Sequence, residues 1–147
     1  ASMRVRRISA LRRRGDVGIG GAEAYYSRVS DYVAVPPQLA FHSRINWYRT
    51  LLHELGHWTG HGSGLDREQS GAFGSAAYAR EELVAEMASA FTCASLSIRP
   101  TVRHVDYIGS WLAVLREDEK AIFRAASAAS KAADYLLGFL SYEEALS

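Results

Sequence analysis

Residues 51–66 read LLHELGHWTGHGSGLD, and this stretch decides how the rest of the chain is interpreted. Within it, residues 53–57, HELGH, match the pattern H-E-x-x-H. On a helix, residues four apart lie one above the other on the same face, so both imidazoles can reach one ion. Glu54 projects to the side, where it could hold a water molecule bound to that ion. The motif predicts metal binding by His53 and His57 and a general-base role for Glu54.

The residues around the motif have the spacing of an amphipathic helix. Ser43 is a candidate N-cap, and the helix should end at Gly60 or Gly62. The two motif histidines lie beside the apolar stripe and not within it. The stripe consists of Ile45, Tyr48, Leu51, Leu52, Leu55 and Trp58.

A catalytic zinc site needs a third protein ligand and leaves one position for water. The metzincin pattern would place a histidine at position 63, but that residue is Ser63. His61, four residues past His57, is one alternative, although the glycines on both sides of it indicate that the helix has ended. Asp66 is another alternative, at the spacing found in aspzincins.

The stretch YAREELVAEMASAF, residues 78–91, offers further carboxylates on a second helix whose circumference is mostly apolar. Glu82 and Glu86 lie one turn apart on the same face. This matches the gluzincin arrangement, in which the first acid binds zinc and the second orients a ligand histidine. We therefore predict Glu82 as the third ligand and Glu86 as the orienting residue. Glu86 is also the next candidate ligand, and Glu81 is expected to be solvated.

Two imidazoles and one carboxylate around Zn²⁺ predict peptide hydrolysis. The ion would lower the pKa of its water from about 15.7 toward about 7, while Glu54 takes the proton and later delivers it to the leaving amine. His104 or Tyr107 could stabilise the oxyanion. An extended peptide substrate could pair with a sheet edge in residues 24–36, AYYSRVSDYVAVP.

The order of the local patterns predicts an α+β domain over residues 16–147, with a small antiparallel sheet followed by about four helices. Two or three short strands are expected before a double proline, with a hairpin turn at SRVSD, residues 27–31. The first helix is expected to begin near Ser43, and the second to cover about residues 76–96. The third should follow the candidate cap Thr101 and cover residues 102–118, and the fourth should cover about residues 118–139.

Charge is unevenly distributed along the chain. The net charge is +1, but six arginines precede the first acidic residue, so residues 15–147 carry 11 basic and 16 acidic groups, a balance of −5. Residues 1–15 are therefore expected to form an Arg-rich arm, in which Arg4–Arg14 could contact nucleic-acid phosphates. The first three residues resemble a cloning remnant.

Composition also bears on location. No apolar run approaches the roughly 18 residues that a membrane span requires, so no membrane association is expected. The single cysteine, Cys93, agrees with a cytoplasmic location.

Three segments together resemble the C-terminal zincin-like metallopeptidase domain of ArdC-type antirestriction proteins, which plasmids and other mobile elements encode. They are residues 47–61 (WYRTLLHELGHWTGH), 73–91 (FGSAAYAREELVAEMASAF) and 104–139 (HVDYIGSWLAVLREDEKAIFRAASAASKAADYLLGF). The resemblance implies metal binding by His53 and His57, a carboxylate ligand from EELVAE, and Glu54 as base. In that family an N-terminal domain binds single-stranded DNA. The segments that carry the resemblance correspond to the C-terminal domain alone. Contact with single-stranded DNA is therefore expected either through an N-terminal domain that these 147 residues do not include or through the arm.

Three functional hypotheses follow. The first is a zinc metallopeptidase domain of an antirestriction protein that acts on a protein target. The second is a non-catalytic antirestriction module, stabilised by zinc, that binds DNA or a restriction enzyme. The third is a sensor protease of the ImmA/IrrE type that cleaves a transcriptional repressor.

Overall fold

The computed structural model describes residues 16–98 and 102–146, with side chains described for residues 16–98 and 104–139. The expected Arg-rich arm and the candidate cap Thr101 lie outside the described residues.

A three-stranded sheet opens the described chain. Its strands are β1 (Val17–Ile19), β2 (Tyr25–Ser27) and β3 (Tyr32–Val35), in the order β1-β3-β2. β2 and β3 form the expected antiparallel hairpin, whereas β1 pairs with β3 in parallel. The α+β class is confirmed, but the sheet is mixed and not wholly antiparallel. β2 follows β1 in the sequence but lies on the far side of β3 in the sheet. It runs opposite to both β1 and β3, so these two strands run in the same direction.

Four helices follow a short 3₁₀ turn at Gln38–Ala40, as the sequence predicted. They are α1 (Arg44–Trp58), α2 (Ala76–Ser95), α3 (Val102–Val114) and α4 (Ala121–Leu146). Ser43 caps α1 as expected, because its Oγ accepts a hydrogen bond from the backbone nitrogen of Ile45 at 3.3 Å. None of these helices, over the described residues, is long and apolar enough to cross a membrane.

The apolar stripe of α1 forms the centre of the main core. Leu51, Leu52 and Leu55 are almost completely buried and pack with the valines of β3 and with Leu136 of α4. Cys93 is buried in the same core, where a thiol packs as a small apolar side chain. A second cluster joins apolar residues of α2 to the alanine-rich face of α4. The two cores hold α1 and α2 against each other, with the polar face of α1 turned toward α2.

Candidate metal centre

The carboxylate of Glu82 on α2 meets both motif histidines of α1. Nε2 of His53 lies 3.0 Å from Glu82 Oε2, and Nε2 of His57 lies 3.2 Å from Glu82 Oε1. One ligand atom from each of these residues can be chosen so that all three lie within 4.8 Å of one another. Two imidazole nitrogens and a carboxylate oxygen are donors that zinc prefers. The group therefore fits one divalent metal ion.

Each histidine is also held on its far side by a carboxylate. Nδ1 of His53 lies 2.8 Å from Glu86 Oε2, and Nδ1 of His57 lies 3.2 Å from Glu81 Oε1. A carboxylate that accepts the Nδ1 proton leaves the Nε2 lone pair free for a metal ion. Glu86 contacts His53 in this way, and its orienting role stays a prediction.

The expectation that Glu81 is solvated is wrong, because its side chain is buried. The loop between α1 and α2 covers it and supplies Arg67, whose Nη2 lies 2.8 Å from Glu81 Oε1. A buried carboxylate needs such a partner. The local pattern of α2 contains no sign of this cation, which lies 14 residues earlier in the chain.

Glu86 has two further partners. Nδ1 of His104 lies 2.6 Å from Glu86 Oε1, and Nη1 of Arg49 lies 3.4 Å from the same oxygen. His104 is buried, while Tyr107 is partly exposed and its ring lies 5.0 Å from Cζ of Arg49. The structure thus places both residues on the Glu86 side of the centre. Their role at an oxyanion stays a prediction.

The two alternative ligands in the loop lie elsewhere. His61 contacts Ser63 Oγ at 2.9 Å and Asp31 Oδ2 at 3.6 Å. Asp66 is exposed and lies 3.8 Å from Arg28. Among the residues whose side chains are described, the metal-binding group contains neither of them.

The charges at the centre favour a bound cation. With neutral histidines, the four carboxylates of Glu54, Glu81, Glu82 and Glu86 face two guanidiniums, those of Arg49 and Arg67. Two negative charges are then left in a largely buried region, and a dication would balance them.

The pKa values of the histidines and acids reflect the same excess of negative charge. Burial alone would lower the pKa of His53, but its contacts with Glu82 and Glu86 raise it to about 10. Burial opposes ionisation of Glu82 and Glu86 as well. The adjacent histidines nevertheless hold the pKa of Glu82 far below its usual range and that of Glu86 at about 2. Burial raises the pKa of Glu54, which suits a group that accepts a proton.

A cavity of about 380 Å³ opens beside this centre. Its lining includes Glu54, His57 and Glu82, together with residues of β2 and of the chain on either side of that strand. Tyr78, which the sequence analysis did not single out, also lines the cavity, and burial together with the nearby Glu82 raises the pKa of its hydroxyl to about 12. Its position one turn before Glu82 on α2 is the signal that could have identified it. The remaining lining residues are Ala24, Tyr25, Tyr26, Arg28, Gln69, Gly71 and Glu81.

Comparison with known proteins places this arrangement in a family. Residues 8–128 match the family model described as zincin-like metallopeptidase. The chain belongs to the zincin-like metallopeptidase family. The predicted ArdC-type resemblance is also confirmed, since the chain matches the crystal structures of the antirestriction protein ArdC from plasmid R388. The manganese-bound form has a TM-score of 0.77 at 39 % identity, and the metal-free form has a TM-score of 0.76 at 38 % identity.

The relatives found by sequence are longer proteins. The chain is 46 % identical over 123 residues to the uncharacterized protein y4eC of Sinorhizobium fredii, and 47 % identical over 117 residues to the DNA primase TraC of Escherichia coli. These alignments cover 82 % and 79 % of this chain but only 40 % and 11 % of the relatives. The ArdC match covers 95 % of this chain and 53 % of ArdC. The family, the donor group and the manganese-bound relative agree with a divalent metal cofactor, as predicted.

Proposed function

We propose that this chain is a zinc-dependent metallopeptidase domain of the gluzincin type that hydrolyses peptide bonds in a protein target. One observation carries the proposal: the Nε2 atoms of His53 and His57 converge on the Glu82 carboxylate beside a cavity that Glu54 also lines. His53, His57 and Glu82 are the proposed ligands, and Glu86 orients His53.

The chemistry follows from the groups at the cavity. Bound zinc would supply Lewis acidity, which lowers the pKa of water and polarises a carbonyl. Glu54 accepts the proton of the attacking water and returns it to the leaving amine, because its carboxylate lies in the cavity and its pKa is raised. The hydroxyl of Tyr78, which lines the same cavity, would donate a hydrogen bond to the oxyanion.

Substrate binding is assigned to the edge strand beside the cavity. β2 is one of the two outer strands and pairs with β3 on one side. Among the described residues no strand pairs with its other edge, so an extended peptide could pair there. Residues 24–26 and Arg28 line the cavity from this strand and the turn that follows it. A polypeptide paired there would pass Glu54 in extended form.

Three protein donors next to a cavity favour catalysis over a purely structural zinc site. Structural zinc sites are closed by four protein ligands, whereas catalytic sites keep one position open. A non-catalytic module that binds DNA or a restriction enzyme is therefore the second candidate. Similarity to the antirestriction protein ArdC of plasmid R388 connects the domain with antirestriction, so we place its protein target in that setting.

The test compares the wild-type chain with Glu54→Gln, which removes the base and leaves the three ligands in place. Zinc content is measured by mass spectrometry, and cleavage is measured with a proteome-derived peptide library. We expect one zinc per chain in both proteins, with cleavage by the wild type alone. Cleavage that persists in the variant would refute the proposed mechanism. Stoichiometric zinc without cleavage in either protein would favour the non-catalytic module.

A further inference from the structure

The side chain of Arg67 makes a dense set of contacts at the back of the His57 site. It is partly buried and contacts Glu81 through two nitrogens, with Nε 3.0 Å from Oε2 and Nη2 2.8 Å from Oε1. Nη2 also donates to the carbonyl of Gly56 at 2.7 Å, and Nη1 donates to Oγ1 of Thr59 at 2.8 Å. A bidentate arginine–carboxylate pair of this kind fixes both partners in orientation.

The fixed carboxylate faces a proposed metal ligand. Glu81 Oε1, the oxygen that accepts from Arg67 Nη2, lies 3.2 Å from Nδ1 of His57. Gln69 adds a second restraint, because its Nε2 donates to the same Oε1 at 2.7 Å and to the carbonyl of His57 at 2.7 Å. The ring of His57 therefore has one favoured orientation, with Nε2 toward Glu82.

The two histidines are held in parallel ways but from different parts of the chain. His53 contacts Glu86 through Nδ1. The guanidinium partner of Glu86 is Arg49 of α1, whose Nη1 lies 3.4 Å from Glu86 Oε1. His57 contacts Glu81, whose partner Arg67 comes from the loop between α1 and α2. The Arg67–Glu81 distance, 2.8 Å, is shorter than the Arg49–Glu86 distance. The loop therefore acts on the centre through Arg67.

We propose that Arg67 is a positioning residue that sets the affinity of the metal centre by fixing His57 through Glu81. The inference rests on the proposed zinc site but not on peptide hydrolysis. A lysine at this position would keep the charge but lose the planar guanidinium that hydrogen-bonds to both carboxylate oxygens of Glu81. Orientation of a ligand histidine by its carboxylate partner typically contributes about 10- to 100-fold in metal affinity.

The experiment measures the zinc dissociation constant by competition with a chromogenic chelator, and the unfolding midpoint of the zinc-free protein in denaturant. The variants are Arg67→Met, Arg67→Lys and Glu81→Gln. The last keeps the shape of the side chain and serves if loss of the arginine prevents folding. The controls are Arg80→Met, which removes a more exposed arginine of α2, and Glu68→Gln, which alters an exposed acid next to Arg67.

We expect all three variants to bind zinc about 10- to 100-fold more weakly while they remain folded. Both controls should match the wild type. As long as the folded form predominates, a lower midpoint alone does not change the dissociation constant, so a merely structural role leaves zinc affinity unaltered. If folded Arg67→Met and Glu81→Gln bind zinc as tightly as the wild type, the role of Arg67 is refuted and the proposed zinc site is not. Absence of zinc binding by the wild type would overturn the proposed zinc site as well.

Discussion

Gly56 of α1 packs closely against the backbone of Ala85 of α2. A Cβ atom at Gly56 would lie 3.0 Å from the Cα of Ala85 and 3.1 Å from its carbonyl oxygen. Gly56 directly precedes His57, and Ala85 directly precedes Glu86. This contact therefore sets the separation of the two helices at the point where the histidines of one meet the acids of the other.

Gly56→Ala should push α2 away from α1 and weaken zinc binding. Alanine favours a helix over glycine by about 0.5–1 kcal/mol, but overpacking against a backbone costs about 1–3 kcal/mol. We expect a net loss of stability of about 1 kcal/mol in the zinc-free form and a larger fractional loss of zinc affinity. Denaturant unfolding and zinc titration measure the two effects. Gly62→Ala is the control, because its Cβ would find only ordinary contact, 3.7 Å from Asp66. Equal behaviour of the two variants would contradict the prediction.

Removal of the metal should lower stability without unfolding the helices. The cores around Leu55 and Leu83 consist of apolar side chains and do not depend on an ion. A ligand present at 100 times its dissociation constant stabilises the folded form by about 2.7 kcal/mol. We therefore expect a chelator to lower the melting temperature while helical circular dichroism at 25 °C is retained. Loss of the helical signal on chelation would indicate a structural zinc site.

The strong helical period around residues 51–58 made much of this arrangement predictable. It places His53, Glu54 and His57 on one helix, and the one-turn spacing of Glu82 and Glu86 on a second apolar helix indicates which acids face them. Both depend on short-range periodicity, which the sequence displays directly. That these residues bind zinc stays a prediction.

Two features could not be predicted because they depend on distant contacts. The burial of Glu81 requires Arg67, which comes from a loop without a periodic pattern. The parallel pairing of β1 with β3 involves strands of three and four residues, too short for composition to indicate direction. In both cases tertiary packing decided between local alternatives of similar energy.

The stability of the zinc-free protein should fall as pH rises above neutrality. The folded pKa of His53, about 10, exceeds its ordinary value of 6.5. Protonated His53 therefore contributes stability that is fully present below about pH 6.5 and is lost as pH rises toward about 10. Zinc competes with protons for the imidazoles, so zinc affinity should increase over the same range.

Melting temperatures measured from pH 6 to 9, with chelator and with zinc, would check that zinc-free stability falls while zinc affinity rises. The stabilisation by zinc should widen as pH rises. His53→Gln is the control, because a glutamine at this position does not titrate between pH 6 and 9. The fall of the melting temperature with pH in the presence of chelator should therefore be smaller in this variant. A zinc-free wild type whose stability rises from pH 6 to 9 would contradict the assignment.

Tyr78→Phe should lower the rate of peptide cleavage without removing zinc. The hydroxyl lines the cavity with Glu54, and burial together with the nearby Glu82 raises its pKa to about 12, so it remains a hydrogen-bond donor at neutral pH. Loss of one donor to an oxyanion typically costs on the order of 100-fold in kcat. We expect a loss of that order with little change in KM or zinc content. Tyr135→Phe, which removes a tyrosine hydroxyl outside this cavity, is the control and should retain kcat. An unchanged kcat in Tyr78→Phe would leave oxyanion stabilisation to His104 or Tyr107, whereas loss of zinc would mean that Tyr78 acts by holding Glu82.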